Sequence, residues 1–414
     1  MKSRNELLAL LCLALFGALG VFYFRHWVVQ KPFGIIVFIG EGLTPSRVAA
    51  ARLYEGGADA RLAFDQLEHA ALLRNYSADY AVPDAAAAGT ALATGVRTNN
   101  GAVGVDASGK SIRNILELAR KSGRAVGLVT DGALTHPTAA SFYAHRSDAD
   151  DAKDIATQLV STDLLDIAFG GGESILSRAD SGEHDGAERD LLNEAVKNDF
   201  AIVRTKTELA AIAAWRRPRV LGLFGKENLA FSDDVEGRVE QPGLPEMVEK
   251  AIGFLQYNPR GYILVVDAHL MRAASEANDG ERALRETVEL AHAIDTARSF
   301  AGAKSMWIVA GDVGIGGLAL NSGPFKKDAG VALLGLNSRG EPNMTWATGP
   351  KGPRRANNAP VQSDDDQDEP AAAYSEKALN TADDMVLLGS GIGAQSIHGI
   401  LDNIDVFTII RDEL

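Results

Sequence analysis

The sequence predicts an α/β protein, a three-layer α/β/α sandwich built on a mostly parallel sheet. Short β-branched runs recur at residues 34–39, 125–130, 263–267 and 306–311. Amphipathic segments at residues 111–120, 245–255 and 281–300 lie between them. Strands that alternate with helices make a parallel sheet covered on both faces, because each crossover helix must return over the sheet. The first run passes straight into Gly40-Glu41-Gly42, a tight turn with an acid in it. In such sheets the chemistry gathers at the carboxyl ends of the strands. Glu41, Asp267 and Asp312 stand at those ends and are candidate functional residues on position alone.

The remaining features bound the function. Of the 414 residues 46% are hydrophobic, which is ample for a large buried core. The net charge of −14, without a basic stripe, argues against a nucleic-acid partner held through its phosphates. The single cysteine, Cys12, rules out an intrachain disulfide and a cysteine-built metal site.

Residues 7–24 carry no charge and are flanked by Lys2, Arg4 and Arg25. As a helix they would span roughly 27 Å, close to the hydrocarbon core of a bilayer. Ala18-Leu19-Gly20 resembles a cleavage site, but cleavage there would leave the apolar run from Val21 to Phe24 at the new terminus. Residues 1–30 therefore read as a signal anchor, a membrane-spanning helix that is the chain's contact with the membrane. The body is then extracytoplasmic, periplasmic or extracellular, with secretion after cleavage as the alternative. Residues 34–414 read as one domain. Within it residues 177–190 form a polar loop, and residues 349–369, with three prolines and the run Ser363-Asp-Asp-Asp-Gln-Asp-Glu369, form a flexible acidic loop.

The segment from Val82 to Val96, Val-Pro-Asp-Ala-Ala-Ala-Ala-Gly-Thr-Ala-Leu-Ala-Thr-Gly-Val, continues to Asn100-Gly-Ala-Val-Gly-Val-Asp106. It resembles the nucleophile segment of the alkaline phosphatase family. Phe38-Ile-Gly-Glu-Gly42 resembles the family's first metal-binding turn, and Leu134-Thr-His-Pro-Thr-Ala-Ala140 its threonine-ligand loop. Further matches follow in family order at Phe169 to Gly172, Gly222 to Phe224, Asp267 to Asp279, Gly311 to Leu318, Thr381 to Asp383 and Leu401 to Asn403. The resemblance implies a phosphomonoesterase with two zinc ions and one magnesium, a phosphoseryl intermediate and a homodimer.

Matched position by position, that machinery is depleted. The nucleophile position is Ala85, which has no nucleophilic atom. Thr90 lies five residues further along a helix, roughly 7.5 Å down its axis, and cannot take the same place. The first zinc site maps onto Arg272, Glu276 and Asn380. Arginine keeps its proton and cannot ligate a metal, so it is expected to stand in for the cation and pair with Glu276 or Asp312. The second zinc site retains Glu41 and Asp312, with Val313 and Ala85 replacing its other ligands, which is too few for tight zinc binding. The magnesium site maps onto Glu41, Thr138 and Asp267, with Asp312 able to join, an oxygen set suited to one Mg2+ or Ca2+. His136 could order water beside it. These carboxylates could instead bind loop amides or Arg272. The phosphate-clamping arginine falls at Ala149, and Arg146 sits in an acidic loop.

The sequence therefore reads as a degenerate member without a catalytic residue, an anchored pseudophosphatase that binds an anionic ligand or a protein partner. The alternative is a divergent phosphomonoesterase that uses a metal-activated water.

Overall fold

The computed structural model describes residues 2–23, 33–177, 191–321, 327–328, 330, 334–353 and 369–414. Its centre is a ten-stranded sheet. In chain order the strands are β1 (Gly34–Gly40), β2 (His69–Arg74), β3 (Ala125–Ala133), β4 (Ile167–Gly171) and β5 (Phe200–Val203). They continue as β6 (Arg219–Leu223), β7 (Tyr262–Ala268), β8 (Ser305–Gly311), β9 (Met385–Gly391) and β10 (Gly399–Asp402). The spatial order is β10-β2-β9-β8-β1-β7-β3-β4-β6-β5. Only β9 runs against its neighbours. The four runs read from sequence are β1, β3, β7 and β8, adjacent at the sheet centre and wholly buried but for the last residue of β3. Burial on both faces is why they read as continuous apolar runs rather than as alternation.

Alternate residues of these strands face two separate cores. Ile36, Phe38, Leu264 and Val266 pack with residues of the helices Pro45–Gly56, Leu244–Leu255 and Gly280–Ala301. Ile35, Val37, Ile263, Val265, Met306 and Ile308 pack on the other side, with residues of Ala85–Thr94, Ile115–Lys121, Ala152–Ser161 and Asp405–Arg411. This is the expected three-layer sandwich. The helix expected over 111–120 begins only at Ile115, because Asn114 caps it: its side chain accepts from the Glu117 NH at 3.0 Å while Glu117 accepts from the Asn114 NH at 2.8 Å.

The N-terminal apolar run is helical over Lys2–Tyr23, with Leu8, Leu10, Leu11, Leu13, Leu15, Phe16 and Leu19 exposed. Among the described residues no helix is long and apolar enough to cross a membrane. The polar loop read at 177–190 lies outside the described residues apart from Ser177, as do residues 354–368 of the acidic loop. The end of that acidic run departs from expectation. Glu369 is buried and accepts from the Gly280 NH at 2.7 Å, at the start of the helix Gly280–Ala301. A carboxylate there meets free amide donors and the positive end of the helix dipole.

Local chemistry also fixes the helix Ala85–Thr94. Asp84 is its N-cap, accepting from the Ala87 NH at 2.8 Å and from the Gly101 NH at 2.5 Å. Asp84→Ala removes both bonds and should cost about 1–2 kcal/mol of stability, in the range of lost N-caps. Urea unfolding of the two proteins checks this, and an unchanged midpoint would contradict it.

Candidate functional site

The in-register pairing places three acids on one face at one end of the sheet. Ile39 lies beside Asp267 on β7 and Ala310 on β8. Side chains two residues apart share a face, so Glu41, Asp267 and Asp312 continue the rows Ile35-Val37-Ile39, Ile263-Val265 and Met306-Ile308-Ala310. Here the apolar rows give way to carboxylates, all three of them buried. Gly42 makes the turn after Glu41 with φ +87°, a left-handed conformation suited to glycine. Its NH donates to Asp312 Oδ1 at 3.1 Å.

The acids have different partners. Asp312 accepts from the Gly42 and Val313 amides and from Thr138 Oγ1 at 3.3 Å, and its backbone carbonyl accepts from the Asn75 side chain. The reading that it holds loop amides thus describes it well. Asp267 accepts from Thr130 Oγ1 at 2.9 Å through Oδ2, and its Oδ1 is buried without a hydrogen-bond partner among the described residues. Burial, the charge of Glu41 and that of Asp131 raise Asp267 well above the usual carboxylate range. Burial and Glu41 push Asp312 up to about 7, against the pull of Arg272.

Glu41 is the hub. Its Oε1 lies 3.0 Å from His269 Nδ1 and 3.2 Å from His136 Nδ1, and its Oε2 lies 3.5 Å from an Arg272 terminal nitrogen. Burial by itself would raise its pKa, but the two imidazoles hold it well below the usual carboxylate range. Burial drives His136 down to about 4. Burial also lowers His269, but Glu41 outweighs it and leaves that ring above its ordinary value. The rings, with centroids 3.9 Å apart, thus flank one carboxylate and are shifted in opposite directions.

Each nitrogen is placed by a strand-end device. His136 precedes the short helix Pro137–Ala140, and Pro137 fixes that helix's first φ. His269 follows β7, and Leu270 NH donates to Asp131 Oδ1 at 2.9 Å, which pins the turn. The ring of His269 lies on Gly132, where an added Cβ would come 2.6 Å from its Cγ. Sequence reasoning missed His269 as a site residue. Its signal was a position two residues after Asp267, at the end of a buried parallel strand.

The three residues mapped onto the first zinc site do come together. Arg272 Nε donates to Glu276 Oε1 at 2.9 Å and Nη2 donates to Asn380 Oδ1 at 2.9 Å. Asn380 Nδ2 in turn donates to the carbonyl of Pro83 at 3.1 Å, two residues before Ala85. Arg272 is 8% exposed. Burial lowers its pKa, but Glu41, Asp312 and Glu276 more than offset this and keep it charged. Of the two expected partners it takes Glu276, and Glu41 replaces Asp312 as the second carboxylate beside it.

The other positions are spent elsewhere. Ala85 and Val313 are buried and offer no donor atom. Thr90 is fully buried, donating to the Ala102 carbonyl at 3.3 Å and accepting from the Gly104 NH at 3.0 Å. Arg146 is turned to Asp151 and Asp154.

A family model described as alkaline phosphatase matches residues 34–413. The chain is 32% identical over 278 residues to alkaline phosphatase 4 of Bacillus subtilis, an alignment covering 64% of this chain and 58% of that protein. It is 30% identical over 313 residues to the human tissue-nonspecific alkaline phosphatase isozyme, covering 64% and 59%. It spans about three fifths of the length of these relatives. The fold matches alkaline phosphatases from Thermus thermophilus (TM-score 0.76, 23% identity, 93% and 92% of the two chains) and from the Antarctic bacterium TAB5 (TM-score 0.74, 21% identity, 93% and 98%).

Truncating Arg272 removes the guanidinium from buried Glu41 and half-buried Glu276, leaving the first to its imidazoles and the second to an exposed Lys377. Arg272→Ala should therefore destabilise the protein by about 3–5 kcal/mol, the range for breaking a buried ion pair from one side. Chemical denaturation beside the exposed-site variant Lys121→Ala checks this. A midpoint shift no larger than that of the lysine variant would contradict it.

Proposed function

The chain belongs to the alkaline phosphatase family, and from that premise we propose that it is a member without phosphomonoesterase activity. In this reading it is a pseudophosphatase retained as a binding or scaffold domain. The observation that carries the proposal is the Arg272 guanidinium held between Glu41, Glu276 and Asn380. The family resemblance assigns that place to a zinc ion.

The family's zinc ions do not fit the residues present. At the first zinc position every mapped side chain is already engaged with another, and one of them is a permanent cation. Electrostatic repulsion then opposes a divalent ion in the same space. At the second, Val313 and Ala85 supply no ligand atom, and Asp312 is committed to two backbone amides. Arginine can neutralise Glu41, but it has no vacant orbital for a lone pair. It therefore cannot acidify a bound water or stabilise an alkoxide as a Lewis acid would. A serine hydroxyl at Ala85 would also lack its activator, since serine is a weak nucleophile without a metal or a base.

The same account keeps the body outside the cytoplasm, delivered there by the apolar run at residues 7–24. The homodimer implied by the resemblance belongs to the proposal too, as do a protein partner and an anionic ligand, the latter at the start of the helix Ala85–Thr94.

Steady-state hydrolysis of an aryl phosphate, with zinc and magnesium supplied, tests the central statement. The wild type should show no turnover above a chelated control, and Ala85→Ser should not restore it. Groups that act as one unit are strongly non-additive, so recovery needs Ala85→Ser together with Arg272→Asp, Glu276→His, Asn380→His and Val313→His. Metal-dependent turnover in the wild type would replace this reading with hydrolysis by a metal-activated water. Turnover in Ala85→Ser alone would mean that a working zinc pair survives.

A further inference from the structure

We propose that Glu41, His136 and His269 form a mononuclear site for a nitrogen-seeking divalent transition metal, zinc or cobalt, sharing only Glu41 with the oxygen set Glu41, Thr138, Asp267 and Asp312. The three donor atoms lie within 4.8 Å of one another. The two nitrogens are 3.0 and 3.2 Å from Glu41 Oε1. Donors about 2.1 Å from one ion stand roughly 3.0 Å apart at an octahedral angle and about 3.4 Å apart at a tetrahedral one. The two nitrogen–carboxylate separations need only tenths of an ångström of adjustment, and the two imidazoles already lie within 4.8 Å of each other.

Three further observations point to a missing ligand. Glu41 is fully buried and His269 nearly so, and both are set at strand ends, so little ordering remains to be done on binding. His136 Nδ1 sits at ion-pair distance from Glu41 and is buried without a hydrogen-bond partner among the described residues. Asp267 Oδ1 is buried at the same strand ends and likewise has none. Buried polar atoms are rarely left in this state.

Donor chemistry selects the ion. Two imidazoles and one carboxylate suit zinc, cobalt or iron, whereas magnesium and calcium favour oxygen. The oxygen set is partly spent, because Thr138 donates to Asp312 and Asp267 accepts from Thr130. Arg272 lies against Oε2 and the imidazoles against Oε1, so the carboxylate can bridge a guanidinium on one side and an ion on the other.

The test uses the full chain in mild detergent, stripped with a chelator and then given zinc, cobalt, magnesium or calcium separately. We expect close to one zinc or cobalt per chain after dialysis, visible d–d bands from the cobalt form, and at least about tenfold weaker zinc binding in His136→Ala and in His269→Ala. Near-UV circular dichroism establishes that the variants are folded. If they are not, zinc-edge X-ray absorption on the wild type decides, with two imidazoles expected around the ion. Uptake of neither zinc nor cobalt, retention of magnesium or calcium in preference to them, unchanged affinity in both folded variants, or an oxygen-only shell would each overturn the site. The site does not depend on the absence of turnover. Metal uptake without hydrolysis leaves both proposals standing, and hydrolysis on this ion would remove only the inactive reading.

Discussion

A carboxylate buried at the end of a central parallel strand must be neutralised in place, and Glu41 sets that requirement for everything around it. An isolated charge in such a position is far too costly to persist, so either it takes a proton or its surroundings supply cations. Here the surroundings supply two imidazoles and a guanidinium from two parts of the chain: His136 after β3, and His269 and Arg272 at the start of the helix after β7. The strand order brings them together, since β1 lies between β7 and β8 and β3 lies beyond β7. The fold thus builds the electrostatic problem and its solution from adjacent strand ends.

Charge balance alone does not reproduce chemistry. A guanidinium and a zinc ion both neutralise carboxylates, but they differ in what they do to oxygen. The guanidinium is a planar donor of fixed protons, which favours the fork to Glu276 and Asn380. The metal is an electron-pair acceptor that makes a hydroxyl nucleophilic near neutral pH. On the proposed reading, replacing one by the other would keep the carboxylates in place and remove the acceleration. The helix Ala85–Thr94 keeps its Asp84 cap and its packing even though its first residue is alanine. Ordering of this segment thus does not depend on the nucleophile.

Much of this was legible in the sequence, and the reasons are local. The four central strands stood out because burial on both faces makes a run uniformly apolar. Glu41 and Asp312 stood out because each follows such a run directly. The pairing of Arg272 with Glu276 was visible as a helical i,i+4 spacing. What was not legible depends on contacts across the sheet. His269 acts through Glu41, 228 residues away in the chain, and Asp131 reaches Leu270 from the next strand. Thr138 spends its hydroxyl on Asp312. Glu369, the last member of an acidic run, caps a helix that begins 89 residues earlier. No spacing rule in a single sequence distinguishes these partners from other acids and imidazoles of the same composition.

The central claim is that Arg272 occupies the space a zinc ion would need. Anomalous diffraction at the zinc edge, from crystals grown with zinc and phosphate, tests it most directly. The account predicts continuous guanidinium density between Glu41, Glu276 and Asn380, with no anomalous peak at that point. A zinc peak there, with the Arg272 side chain turned away from Glu276 and Asn380, would contradict it.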